Sequence, residues 1–131
     1  RSYAEDGMPG ISKNQADQIE RLPGLERRFG EIAGYTVSFE SYSEDRDFAP
    51  LDAGLPGNRC QAEHWGMLVR GKLIYRYEDG DDVITAGQAY YARPGHTAWL
   101  AAGTEIVKFT PTEQLRTREE VSRENLVKFM D

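Results

Sequence analysis

Imidazole is the commonest side-chain ligand for transition metals and titrates nearest neutrality, and this chain carries only two, His64 and His96. They stand at opposite ends of one block, HWGMLVRGKLIYRYEDGDDVITAGQAYYARPGH. The single cysteine, Cys60, lies just ahead of the first. Thiolate with imidazole suits zinc, copper or iron, and three such ligands with a fourth position open is what a catalytic metal needs. On a straight strand Cys60 and His64 would stand about 13 Å apart. They share an ion only if residues 61–63 bend, and no glycine or proline marks a bend there. Asn58 and Glu63 are further oxygen donors, although strand parity turns Glu63 to the face opposite His64. The alternative is an inert set: His64 bonded to a backbone carbonyl, His96 capping the Pro94-Gly95 turn, and Cys60 a buried apolar thiol.

A second constellation is aromatic. Trp65, Tyr75, Tyr77, Tyr90, Tyr91 and Trp99 crowd the same block. Tyr and Trp combine apolar contact with a hydrogen-bonding edge, which suits a small organic molecule, so Tyr75, Tyr90 and Trp99 are expected to line a ligand pocket. Adjacent Tyr90 and Tyr91 must face opposite ways, and the outward rings are available to a dimer interface. Arg70 shares the parity of His64, and pointing inward it would hold a ligand carboxylate; pointing outward it would pair with an acid at the surface.

The elements that must position these residues are mainly strands. Tyr35, Val37 and Phe39 alternate with polar residues, the pattern of a half-buried strand. Further strands are expected over 62–70, from Leu73 to Tyr77, from Val83 to Thr85, from Gln88 to Ala92, from His96 to Ala101 and from Glu105 to Thr110. Turns at Gly71, Glu78-Asp79-Gly80-Asp81, Ala86-Gly87 and Pro94-Gly95 separate them. Short strands at such spacing point to an antiparallel barrel or sandwich. Residues 43–58 form a long acidic loop whose Phe48, Leu51 and Leu55 could cover a cavity. Ahead of the strands, Ser12 with Gln15 has the form of a capping box, and Ala16, Ile19 and Leu22 follow at helical spacing up to Pro23-Gly24. This predicts a helical arm over 1–33. Thr117 with Glu120 is a second capping box, opening a C-terminal helix with Val121, Leu126, Phe129 and Met130 as its apolar members.

The 131 residues fit one domain, with a β-core over 34–111 and the C-terminal helix within 112–131. A formal charge of -6 without a basic stripe argues against a nucleic-acid partner. No apolar run approaches the roughly 20 residues that span a bilayer, so no membrane partner is expected. One cysteine excludes an internal disulfide framework and fits a reducing compartment, the cytoplasm. The sequence opens on Arg1 rather than methionine, so that placement rests on Cys60 alone. Nucleophile elbow, phosphate loop, dinucleotide fingerprint and zinc-finger spacing are all missing.

From Cys60 to Pro111 the run HWG…VRGKL…DG…AGQAYYARPGHTAW resembles the small single-domain cupins of the RmlC-like superfamily. The first cupin motif runs from H-x-H through a glutamate to a glycine; with that glycine at Gly71, the glutamate position falls on His64 and the H-x-H pair on Asn58 and Cys60. The second has the form G-x5-P-x-G-x-x-H: Gly87 and Gly95 match, the proline is displaced to Pro94, and Ala98 holds the last place, two residues after His96. The resemblance implies a cupin-type antiparallel β-barrel or jelly roll with a helical arm and a C-terminal helix. It also implies that the ends of the histidine block converge on one cavity. There Cys60, His64 and His96 could hold one divalent transition metal (zinc, iron, nickel or manganese) or none. Isomerase, lyase or oxygenase chemistry on a small molecule is the implied activity. A metal-free, non-catalytic, homodimeric ligand-binding or sensing module is the alternative.

Overall fold

The computed structural model describes residues 10–130, and of Phe129 and Met130 the backbone alone. The first nine residues of the expected arm and the two terminal apolar side chains of the helix therefore lie outside the described part.

Among the described residues ten strands make two antiparallel sheets. β1 (Gln18–Leu22), β2 (Leu25–Ile32), β3 (Tyr35–Tyr42), β10 (Glu105–Pro111), β5 (His64–Arg70) and β8 (Ala89–Ala92) form one in the order β1-β2-β3-β10-β5-β8. β4 (Arg46–Asp47), β9 (Thr97–Leu100), β6 (Lys72–Tyr77) and β7 (Gly80–Thr85) form the other in the order β4-β9-β6-β7. The two sheets are not closed into a barrel, so the jelly-roll sandwich, not the barrel, describes the molecule. One helix, α1 (Thr112–Met130), follows directly on β10, five residues ahead of the Thr117 capping box. No helix among the described residues is long and apolar enough to cross a membrane.

The expected helical arm is absent from the described residues. Only a single 3-10 turn, Lys13–Gln15, stands there, with Ser12 donating to the Gln15 side chain. Beyond it β1 and β2 form a hairpin in which Leu22 pairs with Leu25. Pro23-Gly24, read as a helix breaker, is the hairpin turn; Gly24 has φ +76°, the backbone that a Pro-Gly type II turn requires. The strand period is hidden because the charged Glu20 and Arg27 share the inward face with Leu22 and Leu25. Glu20 lies opposite Arg27, and Arg27 opposite Glu40, so charge pairs stand where an apolar alternation would be expected.

Between the sheets the buried core comprises Leu25, Tyr42, Leu68, Leu73, Tyr75, Tyr77, Tyr90, Ala92, Leu100 and Ile106. Gly71 turns β5 into β6 at φ +88°, and a Cβ there would fall 2.5 Å from the Thr104 Cα; glycine is demanded by close approach as well as by conformation. Next to this turn the β5–β10 register slips: Glu105 pairs with Arg70, but Ile106 pairs with Leu68. Val69 is the extra residue, and this bulge reverses strand parity beyond it.

α1 lies against the 3-10 turn Ala49–Asp52. Asn125 donates from Nδ2 to the Leu51 and Ala53 carbonyls, at 3.0 and 2.7 Å, and Ser122 donates to the Leu51 carbonyl. Leu115 packs on Cys60 and Ala62. The helix thus holds the 43–58 segment against one end of the sandwich.

Candidate metal and ligand site

Cys60 meets His96 in an isolated antiparallel bridge between the loop and the start of β9. The Cys60 amide donates to the His96 carbonyl at 2.7 Å, and the Gly95 and His96 amides donate back to the Cys60 carbonyl. His64 opens β5 opposite Ala92. Between Cys60 and His64 the chain leaves the ladder and bends. Gln61 donates to the Pro56 and Arg59 carbonyls, and the Glu63 amide donates to Gln114 of α1. The bend is held by side chains, so no glycine or proline announces it.

The consequence is a buried cluster. The Cys60 Sγ and one ring nitrogen from each histidine lie within 4.8 Å of one another. Sγ stands 3.9 Å from His64 Nε2, and the imidazole centroids are 5.0 Å apart. Each ring is anchored through its other nitrogen. His96 Nδ1 donates to the Arg93 carbonyl at 2.7 Å, and His64 Nδ1 lies 2.7 Å from Thr110 Oγ1. Both Nε2 atoms are thereby left to the cluster, the arrangement that orients metal-binding histidines. Tyr75 stacks on His64 at 6.2 Å and meets His96 edge-on at 4.8 Å. Burial holds His64 well below its ordinary pKa, with the Lys108 charge adding to the effect. Burial likewise holds His96 at about 4 and pushes the Cys60 thiol up.

The cluster lies at one wall of a partly open cavity of about 110 Å³ between the two sheets and α1. Leu22, Leu25, Phe48, Leu51, Leu73 and Leu100 supply apolar wall, and Phe48 and Leu51 come from the acidic loop as the sequence suggested. The more deeply buried polar wall includes Arg27, Glu40, Asp52, Lys108 and Arg118, with Glu20, Glu119 and Arg123 towards the rim. Burial alone would raise the Glu40 carboxyl, but the charges of Lys108 (3.0 Å) and Arg27 (3.6 Å) overcome it. Together with hydrogen bonds from Tyr42 and Ser38 they hold Glu40 at about 2. Asp52 is pushed up to about 6 by burial, against the pull of Arg118.

Sequence reasoning named Cys60, His64, His96 and Tyr75, which the structure gathers on this cavity. It missed the polar wall, because Arg27, Glu40, Lys108 and Arg118 come from four different elements with no motif between them. Only the odd inward parity of charge along β2, β3 and β10 carried a signal.

Other expectations are corrected. Arg70 points outward, paired with Glu105 at 2.7 Å, its side chain 70% exposed, because the Val69 bulge breaks the parity it was read from. Trp99 lies opposite in parity to Ala98 and Leu100, which face the cavity, and so turns to the outer side of its sheet. Tyr90 is buried behind Tyr75, their hydroxyls 3.4 Å apart, and does not reach the cavity wall. The two extra oxygen donors are also elsewhere: Glu63 accepts from Tyr91 and Gln114, and Asn58 Oδ1 accepts from the Gly54 amide.

No family model matches this sequence, and no curated protein is significantly similar to it. Solved structures do share the fold. A protein of unknown function from Rhizobium leguminosarum superposes with a TM-score of 0.55 at 10% identity, over 79% of this chain and 94% of that one. An RmlC-like cupin from Shewanella frigidimarina gives 0.52 at 16%, over 77% and 89%. Fe(II)-HppE with an alternative substrate gives 0.52 at 6%, over 79% and 60%.

Proposed function

Taking the chain as a small cupin-fold protein, we propose that it binds a small organic molecule in the cavity between its sheets, beside one divalent transition metal held by Cys60, His64 and His96. The observation that carries this reading is the convergence of three donor atoms within 4.8 Å, each histidine anchored through Nδ1. Tetrahedral zinc with one sulfur and two nitrogen ligands separates its donors by about 3.4–3.6 Å, so the donors, now within 4.8 Å of one another, would close in by up to about 1.2 Å to hold an ion. Their fourth direction opens on the cavity, where a bound metal would supply Lewis acidity toward a ligand oxygen. Thr110 and the Arg93 carbonyl hold the imidazole planes, Tyr75 packs on both rings, and the apolar wall excludes water. Metal binding must displace the Cys60 proton, which burial retains, so affinity should rise with pH. The Fe(II) form of HppE, on the same fold, supports a metal reading. A free thiol as ligand suits a reducing compartment such as the cytoplasm.

A metal-free binding module is the second reading. It is favoured by the same burial, which keeps the thiol and both imidazoles uncharged.

The two readings separate in elemental analysis of protein purified without a metal-affinity tag, combined with titration by Co(II). The metal reading expects near-stoichiometric metal and thiolate-to-cobalt charge-transfer absorption that disappears in Cys60→Ser. Less than about a tenth of an equivalent of any transition metal, with no absorption on adding cobalt, would leave the metal-free module.

A further inference from the structure

The cavity's second polar feature is a mismatched pair. Arg118, on the inner side of α1, has a buried Nε without a hydrogen-bond partner, and Asp52 Oδ1 is likewise buried and unpartnered. The two atoms stand 3.4 Å apart, but off the direction in which the N–H could donate. Asp52 is only 1% exposed and Arg118 24%. Leaving a buried donor or acceptor unmade is costly, and both residues line the cavity with Cys60 and His64. The charged lining balances, with Arg27, Lys108, Arg118 and Arg123 against Glu20, Glu40, Asp52 and Glu119, and Arg27 also pairs with Glu20 and Glu119. Glu40 is already matched by Lys108, Arg27, Tyr42 and Ser38. That leaves Arg118 and Asp52 as the charged pair whose facing atoms make no hydrogen bond.

The geometry points to a small hydroxycarboxylic acid as the occupant, its carboxylate on the Arg118 guanidinium and its hydroxyl donating to Asp52 Oδ1. A guanidinium whose buried Nε lacks a hydrogen-bond partner can turn its planar edge to an anion; an unpartnered carboxylate oxygen beside it asks for a donor on the same molecule. Neither demand alone names the class, but a hydroxy acid meets both. A cavity of about 110 Å³ holds roughly seven to eleven water positions, which suits an acid of about ten non-hydrogen atoms or fewer within it. The inference rests on the reading that this cavity is a ligand site, and it names the substrate class for it.

The test is calorimetric titration of the full chain, metal-free and cobalt-loaded, with lactate, glycerate, malate and 3-hydroxybutyrate. Propionate and lactamide, lacking respectively the hydroxyl and the charge of lactate, serve as controls, with the corresponding deoxy acids and amides for the others. At least one hydroxy acid should bind about tenfold or more tighter than its deoxy acid and its amide. Arg118→Gln should weaken that binding by about tenfold to a hundredfold and Asp52→Leu, which removes the acceptor, should erase the preference over the deoxy acid, both retaining the cobalt absorption. Arg118→Lys, which keeps the charge and loses the fork, should fall between wild type and Arg118→Gln and covers the case in which the glutamine variant does not fold. Cobalt absorption with no hydroxy acid preferred would overturn the inference and leave the metal reading standing. Hydroxy-acid binding that depends on Arg118 without any cobalt absorption would uphold the inference and sink the metal reading.

Discussion

Cys60 and His96 face each other across a single antiparallel bridge, with the Cys60 amide donating to the His96 carbonyl at 2.7 Å. This one rung, outside every named strand, brings the only thiol to an imidazole from far along the chain. The start of β5 then delivers the second imidazole to the same point.

The buried histidines should make the metal-free protein acid-labile in a defined window. His96 is held at about 4 and His64 well below 6.5. As pH falls from 6.5 toward 4 the unfolded chain takes up protons that the folded state refuses, and stability drops. Asp52, raised to about 6 from 3.8, works in the opposite sense: its contribution grows as pH falls from 6 to 3.8. Each unbalanced proton changes stability by about 1.4 kcal/mol per pH unit; with two histidines half protonated at 6.5 in the unfolded chain and Asp52 offsetting them below it, the net slope is that of about one proton between 6.5 and 5. Urea unfolding at stepped pH measures it, and a profile flat from 6.5 to 4 would contradict the burial of the two rings.

Lys108 holds a carboxylate that is otherwise shut away from water. Glu40 is 3% exposed and sits at about 2. Its contribution to stability is complete above the ordinary 4.5 and is lost as pH falls through 4.5 toward 2. Lys108→Met should cost about 2–4 kcal/mol at neutral pH, less than the full loss for an unpaired buried charge because Arg27 remains. The double variant Lys108→Met with Glu40→Gln should recover most of it. If the single variant unfolds at the wild-type denaturant midpoint, the ion pair is not stabilising the fold.

The outer face of the six-stranded sheet is apolar beyond what a solvated surface needs. Tyr35, Trp65, Met67, Tyr91 and Phe109 are each 39–46% exposed there, beside a groove floored by Gly66 and edged by Trp65, Met67 and Phe109. Projecting rings next to a groove on one face suit a self-complementary pairing of two copies. We expect the protein to sediment as a dimer at micromolar concentration and Phe109→Glu to sediment as a monomer with its cobalt absorption intact. A monomeric wild type would remove this surface as a dimer interface.

The β-core was legible because its strands obey the period of two and its turns carry glycine where the backbone demands it; Gly71 against Thr104 is the clearest case. The helical arm was misread because β1 and β2 place the charged Glu20 and Arg27 on the same inward face as Leu22 and Leu25, which interrupts the apolar period of two. Arg70 was misread because one bulged residue, Val69, reverses parity, and a bulge leaves no compositional mark.

From the sequence alone, then, came the strand-rich fold, its resemblance to small cupins, and the donor types Cys60, His64 and His96, since residue chemistry and local periodicity are local properties. Whether the three donors meet was decided by the 61–63 bend and the Cys60–His96 bridge, both made by contacts distant in the chain. The polar wall of Arg27, Glu40, Asp52, Lys108 and Arg118 exists only in the folded molecule. Its members come from separate strands, a 3-10 turn and α1, and no local pattern links residues that only packing brings face to face.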